Sequence, residues 1–124
     1  DARVLGLVTE GDLLGYVAVR RILEEAWILN LAVAPARRRG GNGRRLLDAA
    51  LAVARGWHST SLWLEVREGN APARTLYQRL GMTERGRRAD YYAPIPPSTV
   101  RETAIVMALE LAPPLAIARG PSRT

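Results

Sequence analysis

The stretch from Ala26 to Gly43 has the sequence AWILNLAVAPARRRGGNG and joins an apolar segment to a loop of arginine and glycine. Its first part, Ala26–Val33, is a nearly continuous apolar run, which predicts a strand buried on both faces. Pro35 ends that strand. Beyond the glycines, apolar residues recur at helical spacing, which predicts a helix closed by Gly56. The members of this stripe are Leu46, Leu47, Ala50, Leu51 and Ala54.

The loop between this strand and this helix has the composition of an anion site. Glycines let the backbone bring its N–H groups close to a phosphate, and the helix N-terminus adds unpaired donors. A nucleotide-binding Walker loop is excluded because Arg44-Arg45 stands where Lys-Ser/Thr is needed. A dinucleotide fingerprint is excluded because Leu46 stands in place of its third glycine. A diphosphate ligand, a plain Arg/Gly turn and a nucleic-acid patch remain open.

The rest of the chain alternates strand and helix patterns. Apolar runs on both sides of Glu10-Gly11-Asp12 predict a β-hairpin, and Leu62–Val66 predicts a further strand. Asn70 is a suitable N-cap for a second helix, which Gly81 ends. Two more strands are expected, over 82–92 and 103–111. The order β-β-β-α-β-α-β-β predicts an α/β (α+β) fold with a mixed sheet.

Composition limits the kinds of site that are possible. The chain has 124 residues, a net charge of +6 carried by arginine without any lysine, and no cysteine. One domain is therefore expected, with affinity for polyanions and no thiolate chemistry. His58 is the single histidine, so we expect no metal site. No apolar run reaches the roughly 18 residues of a membrane span, so no membrane partner is expected.

Two ordered motifs resemble those of the GNAT superfamily of N-acetyltransferases. Arg38–Gly43, RRGGNG, matches the superfamily motif Q/R-x-x-G-x-G/A, with Asn42 in place of a usually apolar residue. Asn70–Met82, NAPARTLYQRLGM, matches N-x-x-A-x-x-L-Y-x-x-x-G-F, with Met82 in place of the common Phe. The segments LNLAV at 29–33, LWLEVR at 62–67 and DYY at 90–92 resemble most closely the ribosomal-protein-alanine N-acetyltransferases.

The resemblance, which runs from about Leu14 to Leu111, implies a GNAT-like twisted, mostly antiparallel sheet flanked by helices. We expect residues 1–111 to form the acetyltransferase domain, truncated before the first hairpin and so without the family's N-terminal strand and helices. Residues 112–124 are expected to be a flexible tail. An uncovered sheet edge would then favour oligomers. A cytoplasmic location is expected.

The resemblance also implies a site for acetyl-CoA as cosubstrate, with no metal. Glu65 aligns with the base that takes the proton of the amine, and Tyr77 with the acid that protonates the CoA sulfur. The backbone of Leu31, Ala32 and Val33 would pair with the pantetheine arm, and a nearby N–H, that of Val33, would bind the oxyanion. The diphosphate would lie on the loop, and the residues expected to bind it are Arg38, Arg39, Gly40, Gly41, Asn42, Gly43 and Arg44, with Asn70 as a further CoA contact.

Each of these roles has a plainer alternative. Glu65 is also a strand-end carboxylate that can pair with Arg67 or Arg74, and Tyr77 can simply fill a helix–sheet interface. The acceptor favoured by the resemblance is the N-terminal alanine of a protein, with ribosomal proteins as candidates; a small amine or a lysine side chain is the alternative. A basic RNA- or ribosome-binding module that uses Arg37–Arg39 and Arg85–Arg88 is a third reading, although we expect no direct contact with nucleic acid.

Overall fold

The computed structural model describes residues 1–112, so the predicted tail beyond Ala112 lies outside the described part. The element order confirms the predicted β-β-β-α-β-α-β-β pattern. The elements are β1 (Ala2–Thr9), β2 (Asp12–Ile22), β3 (Glu25–Val33), α1 (Asn42–Gly56), β4 (Ser61–Arg67), α2 (Ala71–Leu80), β5 (Thr83–Tyr92) and β6 (Glu102–Glu110). A single 3₁₀ turn, Pro35–Arg37, follows β3.

The strands form one sheet in the order β1-β2-β3-β4-β6-β5. All neighbours are antiparallel except β3 and β4, which are parallel. Parallel neighbours need a crossover connection, and α1 supplies it. The mixed, mostly antiparallel sheet expected from the sequence is therefore confirmed.

Both helices pack on the same face of the sheet. Leu46, Leu47 and Ala50 of α1 and Tyr77 of α2 belong to one buried cluster with the strands. The helices also touch each other, since a Cβ on Gly43 would lie 3.1 Å from Leu76 Cδ2. The strand residues in that cluster include Val17, Val19, Ile28, Leu62, Leu64 and Val66.

The prediction that β3 is buried on both faces is wrong. Leu29 is 59% exposed, and Trp27 is only partly buried, where it stacks on Trp63 with ring centroids 5.4 Å apart. The reason is that α1 and α2 cover one face, and no other helix lies on the opposite face within residues 1–112. The apolar run of β3 therefore reflects its central position in the sheet and does not mean that both of its faces are covered.

The parallel pairing of β3 with β4 is short. It involves only Glu25–Trp27 of β3 and Ser61–Trp63 of β4. The pairing of β3 with β2 shifts register at Leu29, because Ile28 and Asn30 oppose the adjacent residues Val19 and Ala18. Such a bulge bends a strand. Beyond it β3 and β4 separate, and a gap opens in the middle of the sheet.

Candidate functional site

The gap between β3 and β4 forms a cleft of about 260 Å³. Residues of β3, β4, α2 and β5 line it, together with Asn70 from the turn before α2. Four residues selected from the sequence meet here, namely Leu31, Glu65, Asn70 and Tyr77. The splayed strands thus bring the second motif and the apolar run of β3 to one place.

The gap connects the two faces of the sheet. Leu64 and Val66 are buried in the core beneath the helices, so Glu65 between them projects from the opposite face. Tyr77 reaches the same cleft from α2, on the helix-bearing face. A carboxylate and a phenol therefore approach one opening from opposite faces.

Tyr77 is suited to keep its proton. Its side chain is buried in the core cluster and is 8% exposed. Burial, and to a smaller extent the neighbouring Tyr92, raises the pKa of Tyr77 above its usual value of about 10. The phenol is therefore neutral at physiological pH and can act as a proton donor.

Glu65 pairs with neither arginine that the sequence suggested. Arg67 contacts Glu102, with Nη1 3.3 Å from Oε1, and Arg74 donates to the carbonyl oxygen of Glu68 at 2.9 Å. The partner of Glu65 is Arg88, whose Nε lies 3.4 Å from Oε2. That oxygen is buried and accepts no hydrogen bond from the described residues. Sequence spacing gave no signal for this pair, because β6 separates β4 from β5.

Tyr92 forms a wall of the cleft, although the sequence did not predict it as a site residue. The Arg67 guanidinium lies over its ring at 4.3 Å from the centroid, and the same guanidinium donates to Ala93 O at 3.3 Å. Burial, followed by the negative charge of Glu65, raises the pKa of Tyr92. The available signal was the Tyr91-Tyr92 pair at the end of a predicted strand.

The backbone of β3 presents alternate residues to the gap. Ala34 N–H donates to Leu14 O at 2.8 Å, so it points toward β2. Because N–H and C=O directions alternate along a strand, Ala32 also faces β2, whereas Leu31 and Val33 face the gap. Val33 O accepts a hydrogen bond from Arg38 Nε at 3.2 Å. Of the three residues selected from the sequence, two can therefore pair with an extended ligand in the gap.

The glycine loop leads directly into α1. Gly41 has φ +82°, which favours glycine, and no side chain caps the first turn of the helix. The buried Asn42 donates from Nδ2 to Arg37 O at 2.9 Å, so its amide nitrogen has a partner inside the fold. Gly43 lies against Leu76 of α2, where a larger side chain would crowd the helices. The first turn of α1 therefore has free backbone donors, as an anion site needs.

The arginines around this loop differ in their contacts. Arg44 bonds Asp48 one turn further on, with Nε 3.0 Å from Oδ1. Arg38 is held by Val33 O, and Arg39 is exposed with φ +65°. Gly40 is likewise exposed, with nothing closer than 4.0 Å to an added Cβ.

Asn70 caps α2 as predicted. Its side-chain oxygen accepts from Ala73 N at 3.3 Å, and Gly81 ends the helix with φ +111°. Asn70 also borders the cleft, so a second role as a ligand contact is compatible with its position.

Carboxylates neutralise the arginine cluster at 85–88. Arg85 contacts Glu110, with Nη2 3.1 Å from Oε2, and Arg87 contacts both Glu84 and Glu68. Arg88 is paired with Glu65. These pairings weaken the interpretation of the segment as a phosphate-binding surface.

Two features are absent from the described part of the chain. Among residues 1–112, no group of three or more His, Cys, Asp or Glu side chains is arranged to hold a metal ion. Neither α1 nor α2 has the length and hydropathy needed to cross a membrane, and no other helix of that region does.

Known proteins share this architecture. The family model described as Acetyltransferase (GNAT) family matches residues 1–82. A ribosomal protein bS18-alanine N-acetyltransferase of Escherichia coli strain K12 is 38% identical over 105 residues, which cover 85% of this chain and 69% of that protein. The crystal structure of the ribosomal-protein-S18-alanine N-acetyltransferase from Escherichia coli superposes with a TM-score of 0.83 at 34% identity, over 93% of this chain and 72% of that one.

A more distant structure shares the fold alone. It is a Bacillus subtilis acetyltransferase in complex with CoA, with a TM-score of 0.80 at 16% identity, over 90% of this chain and 78% of that one.

Proposed function

The chain belongs to the acetyltransferase (GNAT) family, and from this premise we propose that it acetylates the N-terminal alanine of a protein, with ribosomal proteins as the first candidates. It is an acetyl-CoA-dependent N-acetyltransferase, as its family and relatives are. The alanine acceptor is proposed because the Escherichia coli relative carries that specificity in its name. With such an acceptor, we propose that the enzyme acts in the cytoplasm, where ribosomal proteins are made.

The observation that carries the proposed mechanism is the placement of Glu65 and Tyr77 on opposite faces of one gap. Acetyl transfer needs a proton removed from the attacking amine and a proton given to the departing thiolate. In our proposal, the amine approaches the acetyl carbon from the Glu65 face and its proton passes to that carboxylate. The new C–N bond forms as the C–S bond breaks, and the sulfur takes the phenolic proton of Tyr77.

The edge of β3 supports the position of the acyl donor. Leu31 and Val33 direct backbone N–H and C=O groups into the gap, where the amide groups of a pantetheine chain can add as a strand does. We propose that Val33 N–H also stabilises the negative charge that develops on the acetyl oxygen.

The loop before α1 supports the position of the diphosphate. The first turn of α1 has no side-chain cap, and Gly41 before it is exposed and has a positive φ. These features fit an anion bound by main-chain N–H groups. Of Arg39 and Arg44, Arg39 is the one whose charge is available, because Arg44 is paired with Asp48.

The test is acetylation of an Ala-starting peptide by the wild type, Glu65→Gln and Tyr77→Phe. We expect each substitution to lower kcat about 10²-fold, the usual contribution of one acid or base, while acetyl-CoA affinity stays unchanged in calorimetry. Unchanged turnover would remove the assigned role from that residue. If the wild type acetylates a small amine or a lysine side chain but no peptide N-terminus, the proposed alanine acceptor is wrong and that other amine is the acceptor.

An Arg39→Ala/Arg44→Ala double variant is the companion experiment. It should weaken acetyl-CoA binding and leave the melting temperature nearly unchanged, since both side chains are exposed and the Arg44–Asp48 ion pair that it removes is a surface pair. If the wild type does not bind acetyl-CoA but binds RNA in a salt-sensitive way, the alternative of a basic RNA-binding module would be supported instead.

A further inference from the structure

Arg88 is not one of the residues that line the cleft, but it contacts one of them, Glu65. It belongs to β5, two strands away from Glu65 in the sheet order, and its guanidinium reaches across β6 to the carboxylate. In the register of the sheet, Arg88 pairs with Ala104 of β6, and Glu65 pairs with Val106 of the same strand. The Arg88 guanidinium also lies over the Tyr91 ring, 5.2 Å from its centroid.

The environment of Glu65 makes this charge important. Oε2 of Glu65 is buried and has no hydrogen bond among the described residues, and its nearest described cation is Arg88 Nε at 3.4 Å. The Glu65 side chain is 23% exposed, while that of Arg88 is 57% exposed. A largely buried carboxylate thus has a more exposed guanidinium beside it.

An unpaired carboxylate at this place would also stabilise the protonated form of the acceptor amine. The α-amine of a peptide has a pKa near 8, so it arrives mostly as an ammonium ion. A negative charge within about 4–6 Å stabilises that ion, and an ammonium has no lone pair with which to attack. A permanent positive charge beside the same carboxylate reduces this stabilisation of the ammonium ion. Arginine can supply that charge because it stays protonated at any accessible pH.

We propose that Arg88 is a positioning residue that pairs with Glu65 so that the cleft does not hold the acceptor amine as an ammonium ion. The inference rests on the proposed function, in which Glu65 faces the amine. The other charged or titratable groups around Glu65 are Tyr92 of β5, Tyr77 of α2, and Arg67 of its own strand, which is engaged with Glu102. Among these described groups, Arg88 is the one whose positive charge is in direct contact with the Glu65 carboxylate.

Kinetics of Arg88→Gln with the Ala-starting peptide test this inference. At pH 7 we expect both KM for the peptide and kcat to fall two- to fivefold, the range of a partly exposed ion pair, while kcat/KM changes less than either. The rising limb of kcat against pH should move upward by about half a pH unit, and the two enzymes should converge above pH 9. Damage to the fold would instead raise KM or lower kcat/KM.

Arg85→Gln is the matched control, since it removes the same charge from the same strand but from an ion pair with Glu110 outside the cleft. It should leave both constants and the pH profile unchanged, and Arg88→Lys should restore wild-type behaviour. The inference is overturned if KM is unchanged or raised in Arg88→Gln, if the rising limb of its kcat against pH does not move, or if Arg85→Gln responds in the same way. None of these results would contradict the proposed acceptor. A wild type inactive toward peptide N-termini would overturn the inference and the proposed acceptor together.

Discussion

Tyr77 connects the stability of the fold to the chemistry proposed for the cleft. Burial raises its pKa in the folded protein, whereas in the unfolded chain the phenol titrates near its usual value of about 10. The folded state therefore binds the proton more tightly. The resulting stabilisation is complete below pH 10 and is lost as the pH rises through the higher pKa of the folded protein. The same burial that keeps an acid protonated thus weakens the protein in strong base.

Tyr77→Phe should reduce this loss at high pH. We expect the wild-type free energy of unfolding to fall more steeply above pH 10 than that of the variant, because phenylalanine has no proton to lose. Each pKa unit between the folded and unfolded states corresponds to about 1.4 kcal/mol. Urea unfolding of both proteins at pH 8, 9, 10 and 11 measures the difference. Parallel pH dependences would show that the phenol is not protected by the fold.

Among the secondary-structure elements, the close approach of β2 to β3 shapes the cleft most directly. Gly15 lies opposite Val33, and a Cβ added there would be 2.5 Å from Ala32 O and 3.2 Å from Val33 Cα. Both contacts involve backbone, so a side chain could be accommodated only by moving the end of β3. That end carries the groups proposed to bind the acyl donor.

Gly15→Ala should therefore impair both stability and cosubstrate binding. We expect a loss of about 1–3 kcal/mol in the free energy of unfolding, typical of overpacking, and weaker binding of acetyl-CoA in calorimetry. Gly86→Ala in β5 is the control, because nothing lies within 4 Å of its added Cβ and its φ is not positive. Wild-type affinity in a folded Gly15→Ala protein would contradict the role given to this end of β3.

Across the whole molecule, the sheet order leaves β1 at one edge, with no strand beyond it in residues 1–112. Val4 and Val8 on this strand are 72% and 58% exposed. The opposite edge, β5, carries several arginines instead. Exposed apolar edge strands tend to pair with another chain, and charged ones resist it. Self-association, if it occurs through an edge, is expected at β1.

Sedimentation velocity over a range of concentrations tests this expectation. The wild type should associate as concentration rises, and Val4→Lys should shift the protein toward monomer because a charged edge disfavours pairing. Val100→Lys is the matched control, since Val100 is 71% exposed in the loop between β5 and β6, away from that edge. A wild type that stays monomeric at high concentration would contradict an association through β1.

The sequence by itself determined the order of elements and the two motifs. Apolar periodicity, Pro35, Gly81 and the cap at Asn70 act within a few residues, so each predicts its own helix or strand end without knowledge of the rest. The glycine loop and the second motif were predictable for the same reason, as was their assignment to one family. Glu65 and Tyr77 could be selected because they lie at fixed positions within these local patterns.

Only the tertiary structure decided how these parts meet. The bulge at Leu29 and the short pairing of β3 with β4 depend on register between distant segments, and they create the gap with Glu65 on one face and Tyr77 on the other. The partner of Glu65 is Arg88, not Arg67 or Arg74, because the order β4-β6-β5 places this residue, 23 positions away in sequence, on a strand within reach of Glu65. Contacts of this kind are set by the sheet as a whole, since residues far apart in sequence become neighbours only after the strands have paired.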